Sequence, residues 1–317
     1  MRYTVVLTAE FPRIATSLLA PHFDVVAHPT EHDRTEDDVA TLLAEADAAI
    51  VLLSDPITRR VLEANPNLRI VSNFAVGYNN IDLDAARERN IAVIHMPGVN
   101  ANAVAELVLG FMISMTRTVP FYTREVVRGL FSRDDCATRH ELRHHRLGII
   151  GLGQVGMRVA RLATAFGMRV QAVDPYIEAS AFAERSALRA ISLDELLATS
   201  DVVSVHVPLS RETQHLIDAA ALAKMKPGAY LINTARGPIV DEEALCDALD
   251  SGHLRGAGLD VYEHEPRVHP RLLAMKNVVL LPHIGSATQE ARDAMARIAA
   301  TNVLLFLGGA EPLHRVV

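Results

Sequence analysis

The amino-acid sequence predicts an α/β protein built from two doubly wound parallel-sheet domains. Its 317 residues exceed what one hydrophobic core usually organises, and at roughly 150 residues per domain two are expected. Half of the residues are hydrophobic and 22% are charged. That supplies a core and excludes a disordered, collagen-like or disulfide-stapled chain. Short Val- and Ile-rich runs alternate with amphipathic stretches in two successive series. This is the pattern of parallel strands joined by helices on both faces of a sheet.

The first series holds five strand candidates, Tyr3–Leu7, Phe23–Ala27, Ala48–Leu53, Leu68–Phe74 and Ile91–His95. Between them, Asp37–Ala44 and Asp84–Asn90 have helical spacing. Pro97-Gly98 breaks the chain, and Ala101–Arg117 then reads as a long helix with almost no polar face. A helix that is apolar all round must be buried, in a core or against another subunit. Pro120 interrupts it, and a polar segment from Ser132 to His145 leads to the next strand, Arg146–Ile150. The alternation resumes with Arg169–Val173, Val202–Val207, Ala229–Asn233, Gly256–Val261 and Val278–Leu281. Thr288–Leu307 closes the chain as a long amphipathic helix. The expected division is discontinuous: residues 1–98 with 286–317 form one domain around an inserted domain at 99–285.

Composition narrows the setting. The net charge of −7 argues against a nucleic-acid surface, but it does not exclude an anionic ligand in one pocket. Leu107–Met115, the most apolar stretch, has about half the length needed to cross a bilayer. The apolar run before Glu10 is too short for a signal-peptide core. Cys136 and Cys246 form no CxxC pair and read as free thiols in a reducing compartment. The expectation is a cytoplasmic protein with neither membrane nor nucleic-acid partner. Fourteen histidines against no tryptophan are the compositional oddity.

The strand Arg146–Ile150 runs straight into Gly151-Leu-Gly153-Gln-Val-Gly156, and Met157–Phe166 follows with helical spacing. A lone GxGxxG is weak, but strand before and helix after is the context that a dinucleotide fingerprint requires. Gly151 allows the tight turn, Gly153 lets the backbone approach a pyrophosphate, and Gly156 lets helix and strand pack. The amides of Gln154 and Val155 would face phosphate at the positive end of the helix. Asp174 ends the next strand, about 20 residues further on, where a carboxylate accepts both ribose hydroxyls and repels a 2′-phosphate. That favours NAD over NADP.

Three further signals fall at strand ends, where open α/β sheets place ligands. Arg236 follows an apolar strand and is locked by Gly237-Pro238; its guanidinium fork suits a carboxylate. Asp260 and Glu265 lie in Gly258-Leu-Asp-Val-Tyr-Glu-His-Glu-Pro266, and His283 follows Val279-Leu-Leu-Pro282. In isolation each reads as an ordinary strand end or charged loop. Together they suit the reduction of a 2-keto acid, which needs a cation for the carboxylate, a proton donor for the carbonyl oxygen and a hydride. Glu265 beside His283 would favour the imidazolium.

The chain resembles the D-isomer-specific 2-hydroxyacid dehydrogenase family from about Val71 onward, most closely its glyoxylate/hydroxypyruvate reductase branch. Asn73-Phe-Ala-Val-Gly77-Tyr-Asn-Asn-Ile-Asp82 is similar to the family's substrate-carboxylate loop, which implies that the Val76 and Gly77 amides assist Arg236. The resemblance also implies that Pro208, Thr213, Thr234, Ala235 and Gly285 contact NAD. It further implies that Asp260 holds the nicotinamide amide and that Arg236, Glu265 and His283 are catalytic. A flavodoxin-like substrate domain, a Rossmann NAD domain and a homodimer through the helix at 101–117 follow from it too. Two positions depart from this branch. Asn100 stands where Pro-Gly-Val-Leu is usual, and the run from Gly129 to Asp135 lacks tryptophan. Both bear on the substrate and not on the reaction.

The expected activity is NADH-dependent, reversible reduction of glyoxylate or hydroxypyruvate to the D-2-hydroxy acid. A D-3-phosphoglycerate or D-lactate type dehydrogenase is the alternative within the family. Outside it stands a non-catalytic NAD-binding corepressor on the same fold. A zinc hydrolase is the other outside reading, because His140-Glu141-Leu-Arg-His144 is a literal HExxH. Against zinc, the segment abuts the strand at Arg146, so a helix cannot continue past His144, and spacing supplies no third ligand. No metal is expected.

Overall fold

Two parallel sheets organise the chain, one in each of two units: Met1–Asn100 with Ala287–Val317, and Ala101–Ser286. The computed structural model describes residues 2–29, 34–131, 140–177 and 189–317.

The first unit contains β1 (Thr4–Leu7), β2 (Asp24–Ala27), β3 (Ala48–Val51), β4 (Ile70–Asn73) and β5 (Ala92–Ile94). They pair in parallel in the order β2-β1-β3-β4-β5, so the strand order reverses direction between β1 and β3. The register sets Val5 against Val25 on one side and Ala48 on the other, and Val71 between Ala49 and Val93. β3 and β4 are buried throughout, as parallel strands covered on both faces must be. The helices α1 (Arg13–Leu19), α2 (Glu36–Leu43), α3 (Arg59–Ala64) and α4 (Leu83–Glu88) connect them. Thr35, Thr58 and Asp82 cap three of these through their side chains, each satisfying an otherwise orphaned amide.

The helix Gln289–Leu307 returns to this unit. It lays Met295, Ala296, Ala299, Ala300 and Val303 against Val5, Leu7, Ile50 and Ile70. Past it, the last residues run antiparallel along β5, an element the sequence pattern does not announce. The Val316 amide donates to the Val93 carbonyl (2.7 Å), and that of Val93 to Val317 (3.2 Å). The pairing closes what would be a bare sheet edge.

The second unit opens with α5 (Ala101–Thr116) and α6 (Val119–Val127). The expected helix at 101–117 is α5, and α6 is a further helix set off from it at Thr118, whose φ of 54° is left-handed. Pro120 lies in the first turn of α6, where its missing N–H costs no helical bond. Ten residues of α5 are buried, and the helix packs on α7 (Gln154–Ala165) and on the sheet. Phe111 is 1% exposed and sits over Gly258, where a Cβ would come within 2.7 Å of its ring.

The sheet comprises β6 (Arg146–Ile150), β7 (Arg169–Val173), β8 (Arg189–Ala190), β9 (Val202–Val205), β10 (Tyr230–Asn233), β11 (Gly256–Leu259) and β12 (Val278–Leu280). All pair in parallel, in the order β12-β11-β10-β9-β6-β7-β8. Two residues long, β8 is too short to leave a periodic signature. Cys136 and most of the polar segment from Ser132 lie outside the described residues. Cys246 is a free, buried thiol that burial pushes up to about 11.

Among the described residues no single helix is long and apolar enough to cross a membrane; α5 and α6 together reach that length only across a 64° bend.

Candidate active site

The sheet of the second unit places its candidate residues along the C-terminal ends of β6, β7, β9, β10, β11 and β12. After β6, Gly151 takes φ 92°, and a side chain there would meet Val207 and the His206 backbone within 3 Å. A Cβ on Gly156 would collide with the Gly151 carbonyl, whereas one on Gly153 meets nothing within 4 Å. The first and third glycines are therefore required by packing, and the second borders open space. Gly153 caps α7 without a side-chain bond. Among the described residues the amides of Gln154, Val155 and Gly156 donate to nothing, which leaves a cluster of N–H groups suited to an anion.

Asp174, at the end of β7, accepts from the Leu152 amide through Oδ2 (2.8 Å) and from Tyr176 through Oδ1 (2.9 Å). It therefore faces the glycine loop. Thr213 closes the loop after β9 by donating to the Pro208 carbonyl (2.6 Å) and accepting from the Ser210 amide (2.7 Å). Beside β10, the Thr234 hydroxyl is buried without a hydrogen-bond partner, and Ala235 donates its amide to Asn233 Oδ1 (3.0 Å). The open side of Gly153, the free helix amides and the orphaned Thr234 hydroxyl together fit a dinucleotide carrying a pyrophosphate and polar hydrogen-bonding groups.

The ends of β10, β11 and β12 are stitched together. Asn233 Nδ2 donates to the Arg236 carbonyl (2.9 Å), and the Asp260 amide donates to the Asn233 carbonyl (3.0 Å). Asp260 is 1% exposed and commits both carboxylate oxygens to the turn that bears His283. It accepts from the Ile284 amide at 2.8 Å and from Gly285 at 2.7 Å. Burial pushes the Asp260 carboxyl up, and those two amides oppose that shift. His283 itself has φ 56°, a left-handed backbone that an L-residue adopts only when its surroundings hold it there.

Glu265 bridges two groups. Oε2 lies 2.8 Å from His283 Nδ1, and Oε1 accepts from the Tyr262 amide at 3.0 Å. Burial alone would raise the Glu265 carboxyl. The hydrogen bond and charge of His283, the Tyr262 amide and the charge of Arg236 outweigh it and hold the group below the usual carboxylate range. A carboxylate can only accept, so His283 Nδ1 carries a proton and Nε2 is the nitrogen free for other partners.

Burial lowers the Arg236 guanidinium from its ordinary value, and Glu265 counteracts it; an arginine remains charged through such shifts. Arg236 donates only to the Ala235 carbonyl (2.6 Å) and forms no ion pair among the described residues. The approach of its loop to Glu265 depends on Gly237, where a Cβ would strike the Tyr262 backbone. Asn233, Gly237 and Tyr262 thus position the cluster. Sequence reading finds Gly237 beside Arg236 but passes over Asn233 and Tyr262, because a strand-end asparagine or tyrosine has no motif of its own.

The first unit carries Val76 and Gly77 in the loop after β4, half-buried. Asn73 Nδ2 donates to the Gly77 carbonyl (2.7 Å), and Asn80 ties the loop to the Leu52 and Asp55 carbonyls (3.1 and 3.0 Å). Among the described residues the amides of Val76, Gly77 and Tyr78 donate to nothing. Free N–H groups of this kind are available to donate to an anion.

The HExxH segment is not an α-helix. Leu142–His144 forms a three-residue 3₁₀ turn, so His140 and His144 do not share a helical face. Glu141 pairs with Arg143 at 2.5 Å. Among the described residues no group of three or more His, Cys, Asp or Glu could hold a metal ion.

Residues 109–285 match the family model of the D-isomer specific 2-hydroxyacid dehydrogenase, NAD binding domain. The chain is 39% identical to a glyoxylate reductase from Thermofilum pendens, across 98% of this chain and 93% of the relative. It is 37% identical to another from Thermococcus onnurineus, across 98% and 95%. Among solved structures, the TT0316 protein from Thermus thermophilus superposes with a TM-score of 0.93 at 36% identity, covering 99% of this chain and 100% of that one. D-lactate dehydrogenase from Aquifex aeolicus, solved with NAD and lactic acid, gives 0.84 at 30% identity over 96% of both chains. Fingerprint, strand-end cluster and full-length likeness agree: the chain belongs to the D-isomer specific 2-hydroxyacid dehydrogenase family and is an NAD-dependent oxidoreductase.

Proposed function

We propose that the protein is an NADH-dependent reductase of small 2-keto acids, glyoxylate or hydroxypyruvate, giving the D-2-hydroxy acid where the product is chiral. The observation that carries this reading is the Glu265–His283 pair at 2.8 Å beside an arginine with no ion-pair partner among the described residues. Relatives named glyoxylate reductase support the substrate class.

Carboxylate binding is assigned to Arg236, as a bidentate fork, and to the free amides of Val76 and Gly77. NADH, when bound, supplies the hydride. Gly151, Gly153, Gln154, Val155 and Gly156 hold its pyrophosphate. Asp174 takes the adenosine ribose and disfavours NADP. Pro208, Thr213, Thr234, Ala235 and Gly285 line the remainder.

His283 donates a proton through Nε2 to the carbonyl oxygen as it gains charge, while ionised Glu265 holds Nδ1–H and fixes the ring. One keto acid, one NADH and one proton yield one hydroxy acid and NAD⁺. Asp260, by holding the Ile284 and Gly285 amides, keeps the His283 turn in its left-handed conformation and orders the end of the site that receives the nicotinamide.

The protein is further inferred to act as a cytoplasmic homodimer through the helix region at 101–117. Most of α5 is already used by its own core, so α6 completes the surface. Val126 is 57% and Val127 82% exposed, apolar area that a second copy would remove from water. Following NADH absorbance with glyoxylate, hydroxypyruvate, pyruvate and 3-phosphohydroxypyruvate tests the activity. Absence of turnover with all four would leave the corepressor reading in its place.

A further inference from the structure

We propose that His95 is a positioning residue for the substrate carboxylate: its Nδ1–H holds the Val76 carbonyl and thereby turns the Gly77 amide toward the bound anion. The inference rests on the assignment of the Val76–Gly77 loop to carboxylate binding, and it accounts for the direction in which the Gly77 amide points.

Three successive carbonyls of the loop are held from one side. The Ala75 carbonyl accepts from the Met96 amide at 3.0 Å. That of Val76 accepts from His95 Nδ1 at 2.9 Å, and that of Gly77 from Asn73 Nδ2 at 2.7 Å. In a planar trans peptide the C=O and the following N–H point in opposite directions. Tying these carbonyls toward β4 and β5 therefore turns the Val76, Gly77 and Tyr78 amides the other way. None of these three amides has an acceptor among the described residues, and neither do those of Asn79 and Asn80 further along the loop. Two of the ties come from the backbone or from an asparagine on β4; the middle one is the histidine.

The His95 ring is itself fixed. A carbonyl oxygen can only accept, so Nδ1 must carry the proton. The Tyr78 ring meets it edge-on, with centroids 5.2 Å apart and planes at 89°. Below, the His95 amide donates to the His314 carbonyl at 3.3 Å, so the C-terminal tail that closes the β5 edge also braces this residue. Without the tie the Val76–Gly77 peptide can rotate, and binding the anion then carries the cost of ordering it.

The test uses the full-length enzyme with four variants: His95→Asn, His95→Gln, His95→Phe and, as reference, Arg236→Ala. Asparagine places an N–H near the position of Nδ1, glutamine places one near Nε2, and phenylalanine keeps the ring but has no donor. His95→Phe and His95→Gln should raise KM for glyoxylate by about 10-fold and weaken oxamate binding to the enzyme–NADH complex equally. NADH affinity should be unchanged and kcat should stay within about 3-fold. His95→Asn should recover most of the loss, and if His95→Phe does not fold, the Asn–Gln contrast decides.

Wild-type KM in His95→Gln, an equal defect in His95→Asn, or a parallel loss of NADH affinity overturns the role of His95. If Arg236→Ala is impaired while the His95 variants are not, only this inference fails. If the wild type neither reduces a 2-keto acid nor binds oxamate, the functional reading falls first.

Discussion

His283 Nδ1 and Glu265 Oε2 stand 2.8 Å apart, and the opposite oxygen of the same carboxylate holds the Tyr262 amide. The carboxylate is thus anchored on one side and aimed on the other. Glu265→Gln can keep the Tyr262 bond through its oxygen, but its NH₂ then faces Nδ1 and demands the other tautomer. Its kcat should fall by about 10²-fold. His283→Ala should lose about 10²–10⁴ in kcat with a smaller change in KM. Steady-state kinetics with glyoxylate check both, and wild-type turnover in His283→Ala sinks the mechanism.

Acid stability should follow Glu265 and His206. The folded Glu265 carboxyl lies below its ordinary value, so it stabilises the protein above the unfolded value, about 4.3. That contribution disappears as pH falls through the lower folded value. Burial pushes His206 down to about 3, so below about 6.5 the unfolded chain takes up a proton that the folded chain refuses. Stability should decline as pH drops from about 6.5 toward 3, by at most about 1.4 kcal/mol per unit from this group. His206→Gln should flatten that limb in urea unfolding series; an unchanged slope contradicts the assignment.

Cofactor choice should turn on Asp174. Replacing it with alanine removes both the ribose acceptor and the repulsion of a 2′-phosphate. NADH kcat/KM should fall by about 10–100-fold while that of NADPH rises or holds. Parallel titration with the two cofactors reads this out, and an unchanged ratio would show that another residue sets the preference.

Gly258→Val should destabilise the second unit, because the new side chain must enter the space of the Phe111 ring. Overpacking of this kind costs about 1–3 kcal/mol, visible as a lower Tm. A companion Phe111→Leu substitution should restore part of the loss, and failure of that rescue would place the strain elsewhere.

Treatment with 1,10-phenanthroline should leave turnover unchanged, as should His144→Ala. Loss of activity in either would return the His140–His144 segment to consideration as a zinc site.

Much of this architecture is legible along the chain because the signals are local. Strands buried on both faces write continuous Val and Ile runs, and the glycines at 151, 153 and 156 answer to steric demands within one turn. Asp174, Arg236, Glu265 and His283 each mark a strand end that motif context makes recognisable. Even the discontinuous first domain can be anticipated from the final helix. What could not be read are contacts whose partners lie far apart in sequence and carry no pattern: the tail pairing with β5, the fit of Phe111 over Gly258, Gly237 against Tyr262, and Asp260 holding the amides beside His283. The same holds for His95 and Val76, which are ordinary residues until the fold brings a ring nitrogen to a carbonyl. Residue type and spacing determined the chemistry that this protein can attempt. Only tertiary structure decided which N–H groups point outward to do it, because a peptide's orientation is set by whatever holds its carbonyl.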